Sequence, residues 1–274
     1  MKTLLSKLAV SVSAFKRTPL LRYSQVDRAS LVAALWSTKH KANLLGFHVS
    51  YLGEKQFRYL LWEIFIRGEY FFKAEKNAPV ILDCGANIGL ATLFFKRIYP
   101  KARITCFEAD PTTANILRKN IEQNQLKDVT AYNLMLSNKT GEQPFYIDAD
   151  ADGGLTMSAY PKLLSNSREI LVQTGRLSDY IHGPVDLLKM DVEGAEFEVM
   201  ADLKESGKIS QVRNMIIEYH HKIGGQSSRM AKFLTLLEED GFEYQISGQC
   251  FPITKQNELQ GIMIGAYRSS SLAA

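Results

Sequence analysis

The sequence predicts an α/β fold: a doubly wound sheet of seven strands whose last strand runs antiparallel, preceded by a mostly helical N-terminal extension. Three observations carry this. "VILDCGANIGLAT" (80–92) turns from a short β-branched run into a helical period across two glycines. From Pro79 onward, strand patterns alternate with helical ones. The final two strands are joined by residues 248–260, which hold Gly248 and Pro252 and show no helical periodicity. A parallel pair needs a crossover of about a dozen or more residues, usually a helix, so this pair is expected to be antiparallel.

Taken in order, residues 28–38 read as a helix capped by Asp27, and Leu44 to Leu52 as a small hairpin or strand. Residues 54–67 carry Phe57, Leu60, Leu61 and Ile64 at the spacing of an amphipathic helix. A boundary near Lys76-Asn77-Ala78-Pro79 divides an N-terminal cap, residues 1–76, from a main domain, residues 77–274. Val80-Ile81-Leu82 is the first buried strand, and Ile88, Ala91, Phe94, Phe95 and Ile98 share one helical face ended by Pro100. Ile104 to Glu108 is the second strand, with Asp110-Pro111 as N-cap and first-turn proline of the next helix. That helix turns Ala114, Leu117 and Ile121 to one side. Val129 to Asn133, Val185 to Met190 and Met215 to Tyr219 follow as strands, with a helix from Ala195 that buries Phe197 and Met200. Met230, Phe233, Leu234 and Leu237 mark a helix ended by Gly241, before strands at Phe242 to Ile246 and Ile262 to Ala266.

Composition excludes several classes. With 33 basic and 29 acidic residues the net charge is +4, too balanced to require a polyanion such as nucleic acid. The first 22 residues carry Lys2, Lys7, Lys16, Arg17 and Arg22 and no acid, which suits weak contact with a membrane surface. Lys7 interrupts the apolar stretch that a signal peptide would need. No uncharged run approaches the roughly 18 residues that span a bilayer. Cys84, Cys106 and Cys250 fit neither a zinc site nor a disulfide framework, so a reducing cytoplasm is expected.

The strand-to-helix turn then selects a cofactor. Its spacing is Gly85-x-x-x-Gly89, without the intermediate glycine of a dinucleotide loop and without Lys or Arg to meet a pyrophosphate. Asp83 places a negative charge beside it, which suits a cation. S-adenosylmethionine, with a sulfonium, an ammonium and no phosphate, fits this better than NAD. Glu108, at the tip of the second strand, is placed to accept hydrogen bonds from ribose hydroxyls. Together these features describe a Rossmann-like methyltransferase sheet.

At these residues the chain resembles the FkbM-type family of class I S-adenosylmethionine-dependent methyltransferases. The resemblance rests on "EIFIRGEY" (63–70), "VILDCGANIG" (80–89), "CFEADP" (106–111) and "LLKMDVEGAEFEVM" (187–200), and covers about residues 55 to 245. It implies Asp83, Gly85, Asn87 and Gly89 around the methionine end of the cofactor and Glu108 on the ribose. Met135 and Leu136 would border the adenine, and Tyr70 would close over the cofactor. Members of the family mostly methylate hydroxyl oxygens of natural products, sugars or polysaccharides.

Asp191-Val192-Glu193-Gly194 lies at the end of the fourth strand, the edge where open α/β sheets bind ligands. Enzymes that methylate adenine or amide nitrogens usually carry an Asn/Asp-Pro-Pro-aromatic loop there, and this chain does not. An oxygen acceptor on a small molecule or carbohydrate is therefore expected, and not a nucleic-acid base. Asp191 or Glu193 would take the acceptor's proton, orient it or hold a divalent cation. Against these roles, Glu193 would merely serve the helix that follows. His220 and His221 end the fifth strand, where His220 is a candidate general base and a solvated loop pair is the bland alternative. Asp148-Ala149-Asp150-Ala151-Asp152-Gly153 copies half of a calcium loop, but its twelfth position is Ala159, so residues 148–175 read as an acidic loop over the acceptor pocket. No metal is assigned. The rival function is a non-catalytic S-adenosylmethionine-binding scaffold, which the acids and paired histidines argue against.

Overall fold

Val80–Cys84 is buried along nearly its whole length, and so is Leu187–Met190. Strands with no polar face must lie inside a sheet covered on both sides, and this pair forms its centre. In the computed structural model, which describes residues 23–148, 167–221, 227–248 and 260–268, twelve strands and six α-helices are defined. Numbered along the chain, the strands are β1 (Lys41–Leu44), β2 (Phe47–Ser50), β3 (Val80–Cys84), β4 (Arg103–Glu108), β5 (Val129–Asn133) and β6 (Met135–Leu136). They continue as β7 (Gly141–Asp148), β8 (Ser167–Gly175), β9 (Leu187–Met190), β10 (Asn214–His221), β11 (Glu243–Gly248) and β12 (Gln260–Tyr267). The helices are α1 (Gln25–Leu35), α2 (Glu54–Leu61), α3 (Leu90–Ile98), α4 (Pro111–Gln123), α5 (Glu196–Glu205) and α6 (Met230–Glu239).

Seven strands make the main sheet in the order β11-β12-β10-β9-β3-β4-β5. β3 pairs in parallel with β4 on one side and β9 on the other, so the strand order reverses there. Such a switch point opens a crevice beyond the carboxyl ends of the strands. β12 runs antiparallel to both β10 and β11, with Asn214 opposite Tyr267 and Glu243 opposite Tyr267, as the sequence led us to expect. No helix among the described residues is long and apolar enough to cross a membrane. The basic segment 1–22, Cys250 and the Asp150 and Asp152 of the calcium-like stretch lie outside the described residues.

The N-terminal region differs from expectation in detail. α1 is capped by Ser24 and not Asp27. The Ser24 hydroxyl accepts from the Asp27 amide at 3.1 Å while the Asp27 carboxylate accepts from the Ser24 amide, so Asp27 is the third-position partner of a capping box. The expected helix over 54–67 is α-helical only through Leu61 and continues as a π-turn, Trp62–Arg67. Ile64, Phe65 and Ile66 are all buried. Three consecutive side chains sweep about 200° around an α-helix, so a wider turn is needed to keep all three in the core.

These residues also join the cap to the sheet. Leu31, Leu44, Phe57 and Phe65 share one apolar cluster with Ile81, Phe94, Phe95 and Ile104. Phe65 meets Phe94 edge to face at 5.4 Å. The expected boundary near residue 76 thus runs through a continuous core. A second, three-stranded sheet, β6-β8-β7, was not anticipated: part of the segment read as a loop is strand β8. Its buried Met135, Phe145 and Val172 form a small core of their own beside the crevice.

One core for both parts predicts one transition. Phe65→Ala should cost about 3–5 kcal/mol by transfer and cavity terms, read by circular dichroism as a single cooperative unfolding at lower temperature. Two separated transitions, or a loss below about 1 kcal/mol, would contradict a shared core.

Candidate active site

The glycine turn after β3 is shaped by close approach. Gly85 has φ +73°, and a Cβ there would fall 1.7 Å from the Asp191 carbonyl oxygen. Only glycine lets the end of β3 lie so near the end of β9. The Gly85 and Ala86 amides both donate to the Phe107 carbonyl at 2.9 Å, and the Asn87 amide donates to the Glu108 carboxylate at 2.8 Å. Asn87 (φ +51°) and Gly89 (φ +90°) complete the turn, with Gly89 as N-cap of α3.

Glu108 is almost wholly buried, and its second oxygen accepts from the Asp110 amide at 3.0 Å. Burial pushes its carboxyl up to about 7, against the opposing pull of those two amides. Each oxygen keeps a lone pair for a further donor. Met135, Leu136 and Phe145 form an apolar part of the lining of the cleft that Glu108 enters, and Asp191, Val192 and Glu193 line it too. This cleft offers an acid for ribose hydroxyls, an apolar slot for adenine, glycine backbone for the amino-acid end and carboxylates facing a sulfonium. Among the described residues no Lys or Arg side chain lines it. The residues fit S-adenosylmethionine.

Three expected cofactor contacts do not line this cleft: Gly89, the N-cap of α3, and the buried Asp83 and Tyr70. Asp83 is fully buried beneath the turn, where it accepts from the Thr92 hydroxyl at 2.7 Å and pairs with Lys189 at 3.6 Å. It shapes the turn and does not line the cleft. Tyr70 is buried behind Lys189, whose ammonium lies 5.2 Å from the ring centroid. Lys189 itself escaped the sequence reading. Its ammonium donates to the Gly85 carbonyl at 2.6 Å and lies 3.7 Å from Asp191. Burial alone would pull it down, yet Asp191 and Asp83 outweigh that and keep its pKa raised. A lysine inside the apolar run "LLKM" was the available signal, because a buried lysine requires partners.

At the far end, β9 and β10 bring Asp191, Glu193 and His220 together. His220 Nε2 lies 3.3 Å from Glu193 and 4.0 Å from Asp191, while Nδ1 is 2.7 Å from Glu196 on α5. Burial pulls the imidazole down, but Glu196, Glu193 and Asp191 more than offset it and hold His220 well above the ordinary histidine value. Burial drives the Glu193 carboxyl well above its usual range, with His220 opposing. A free neutral imidazole base is therefore not what β10 presents; the proton belongs to a carboxylate–imidazole set. Around it, the Asp191 charge and then burial push Glu218 to about 8, and burial first pushes Glu63 of the π-turn to about 7. Glu196, the buried partner of His220, was also missed by sequence. The adjoining His221 is not part of the set, and Asp148 ends β7.

The chain is also similar in sequence to known proteins. The Methyltransferase FkbM domain family matches residues 83–244. Methyltransferase sdnD of Sordaria araneosa is 31% identical over 234 residues, covering 74% of this chain and 88% of that protein. The 2-O-methyltransferase NoeI of Sinorhizobium fredii is 33% identical over 162 residues, or 53% of this chain and 65% of its own. The 31-O-demethyl-FK506 methyltransferase FkbM of Streptomyces tacrolimicus is 28% identical over 221 residues, or 69% and 82%.

The Glu108 carboxyl gives a pH test. Ribose hydroxyls donate to the ionised form, so binding lowers its pKa and affinity is full above pH 7 and lost below it. Titration calorimetry should show cofactor affinity falling about tenfold from pH 8 to pH 6. Glu108→Gln should be weaker at pH 8 by about 1–3 kcal/mol and lack that slope. An identical slope in the variant would remove Glu108 from the ribose.

Proposed function

The chain belongs to the FkbM family of S-adenosylmethionine-dependent methyltransferases, and from that premise we propose that it methylates a hydroxyl oxygen of a small molecule, sugar or polysaccharide. The observation that carries this is the meeting of Asp191, Glu193 and His220 at the open end of the cofactor cleft. An alcohol is a poor nucleophile until it sheds its proton, and a carboxylate–imidazole set is a proton acceptor. Two relatives bear names that specify an O-linked methyl, which supports the same reading. Cys84 and Cys106, free and buried, support a reducing cytoplasm.

When bound, S-adenosylmethionine supplies a methyl group on a sulfonium that is already a good leaving group. What remains for the protein is alignment. Gly85 and Glu108, which both line the cleft, would hold the cofactor at its amino-acid and ribose ends, and Met135, Leu136 and Phe145 would hold the adenine. Asp191 and Glu193, only partly exposed, accept the acceptor's O–H and aim its oxygen along the edge. Glu196 holds His220 in place from behind, so the proton passes into a set already oriented to keep it. Alignment of this kind accounts for most of the acceleration, and proton removal adds about 10²–10⁴-fold.

A radiolabelled methyl-transfer screen over sugar, polysaccharide and polyketide hydroxyls tests the acceptor class. The label should be recovered in an alkali-stable ether; label on nitrogen or in a carboxyl ester would overturn the proposal. With the acceptor found, Asp191→Asn should lower turnover about 10²-fold while calorimetry shows cofactor binding intact. His220→Ala should behave alike, with the defect shrinking at high pH as the acceptor ionises unaided. Near-normal turnover in both variants would move the chemistry away from β9 and β10.

A further inference from the structure

Asp191, Glu193 and His220 present one ligand atom each, and those atoms lie within 4.8 Å of one another. Bonds of about 2.0–2.2 Å to one divalent cation would set neighbouring ligand atoms about 3.0–4.3 Å apart. The Nε2 of His220 is 3.3 Å from a Glu193 oxygen and 4.0 Å from an Asp191 oxygen, both inside that range. We propose that these three side chains form a divalent-cation site at the acceptor end of the cleft.

Two further observations point the same way. Glu196, outside the trio and almost fully buried, sits 2.7 Å from His220 Nδ1. A carboxylate on Nδ1 holds the ring so that Nε2 faces the two acids, and a cation that displaces the Nε2 proton meets its lone pair there, the arrangement that orients metal-ligating histidines. Charge adds a separate argument. Asp83, Asp191, Glu193 and Glu196 face Lys189 and His220, four carboxylates against two cationic side chains at most. A dication relieves that excess in a place where little water can. Asp191 and Glu193 each keep about a quarter of their side-chain surface open to the cleft, 22% and 28%, so a cation there retains free positions for an acceptor oxygen or water. Two carboxylates and one imidazole suit magnesium, manganese or zinc and not a soft thiophilic ion. The use of the cation rests on the hydroxyl-acceptor reading, because a coordinated hydroxyl gives its proton to water at lower pH. Its binding does not.

The test uses chelator-stripped full-length protein and Mn²⁺, without acceptor. Electron paramagnetic resonance titration should find one Mn²⁺ per chain, with nitrogen coupling from one imidazole in the wild-type protein. Asp191→Asn and Glu193→Gln should each weaken Mn²⁺ binding at least tenfold, and His220→Ala should erase the nitrogen signal. Cooperative thermal unfolding by circular dichroism in the same metal-free samples certifies that the variants are folded. Absence of bound Mn²⁺ in the wild type, or a bound ion with no nitrogen coupling and no response to these variants, would overturn the site. The readouts separate the two ideas: a protein that binds Mn²⁺ this way yet methylates no hydroxyl sustains the site and refutes the acceptor class.

Discussion

A buried lysine organises the reaction centre. Lys189 stands in the middle strand of a sheet with almost no contact with solvent, and its ammonium bonds to the Gly85 carbonyl while balancing Asp83 below and Asp191 beside it. One side chain thereby ties the cofactor turn to the acceptor wall. Removing one partner of a buried ion pair typically costs about 3–5 kcal/mol, because the survivor is left charged without water. The glycine turn, the tip of β9 and Asp83 are therefore not independent features. Their positions are set by a common cation.

That cation is outnumbered. At this end burial, with Asp191 adding to it, raises the proton affinity of Glu193, and the Asp191 charge followed by burial raises that of Glu218. An electronegative, water-poor end is unfavourable for the empty protein and favourable for anything positive that enters it. The same charge imbalance explains why a sulfonium cofactor belongs here and a pyrophosphate does not.

Much of this was legible in the sequence. Alternating periods gave the strands and helices of the main sheet, since a strand buried on both faces can hold little but apolar residues. The shortness of 248–260 gave the antiparallel last pair, and the glycines with Asp83 and Glu108 gave the cofactor. What stayed hidden were contacts between residues far apart in the chain. Lys189 meets Gly85 across 104 positions, and Glu196 meets His220 across 24. Neither pairing leaves a local period. The π-turn escaped because Ile64-Phe65-Ile66 reads equally well as ordinary helix, and the β7–β8 pair because its strands are mostly exposed or half-buried and lack a regular apolar alternation.

The placement of β12 has a consequence for synthesis. All eight residues of β10 pair with β12, from Asn214 with Tyr267 to His221 with Gln260. β10 carries His220, yet its outer edge is covered only by chain made some fifty residues later. On the ribosome the cofactor half can assemble from β3, β4, β5 and β9 well before that, whereas the proton-handling half must wait for β12 to arrive. Translation at about 5–20 residues per second leaves the edge of β10 uncovered for some seconds. During that interval the nascent protein holds an unpaired strand, and it is there, ahead of any chemistry, that chaperones or misassembly would act.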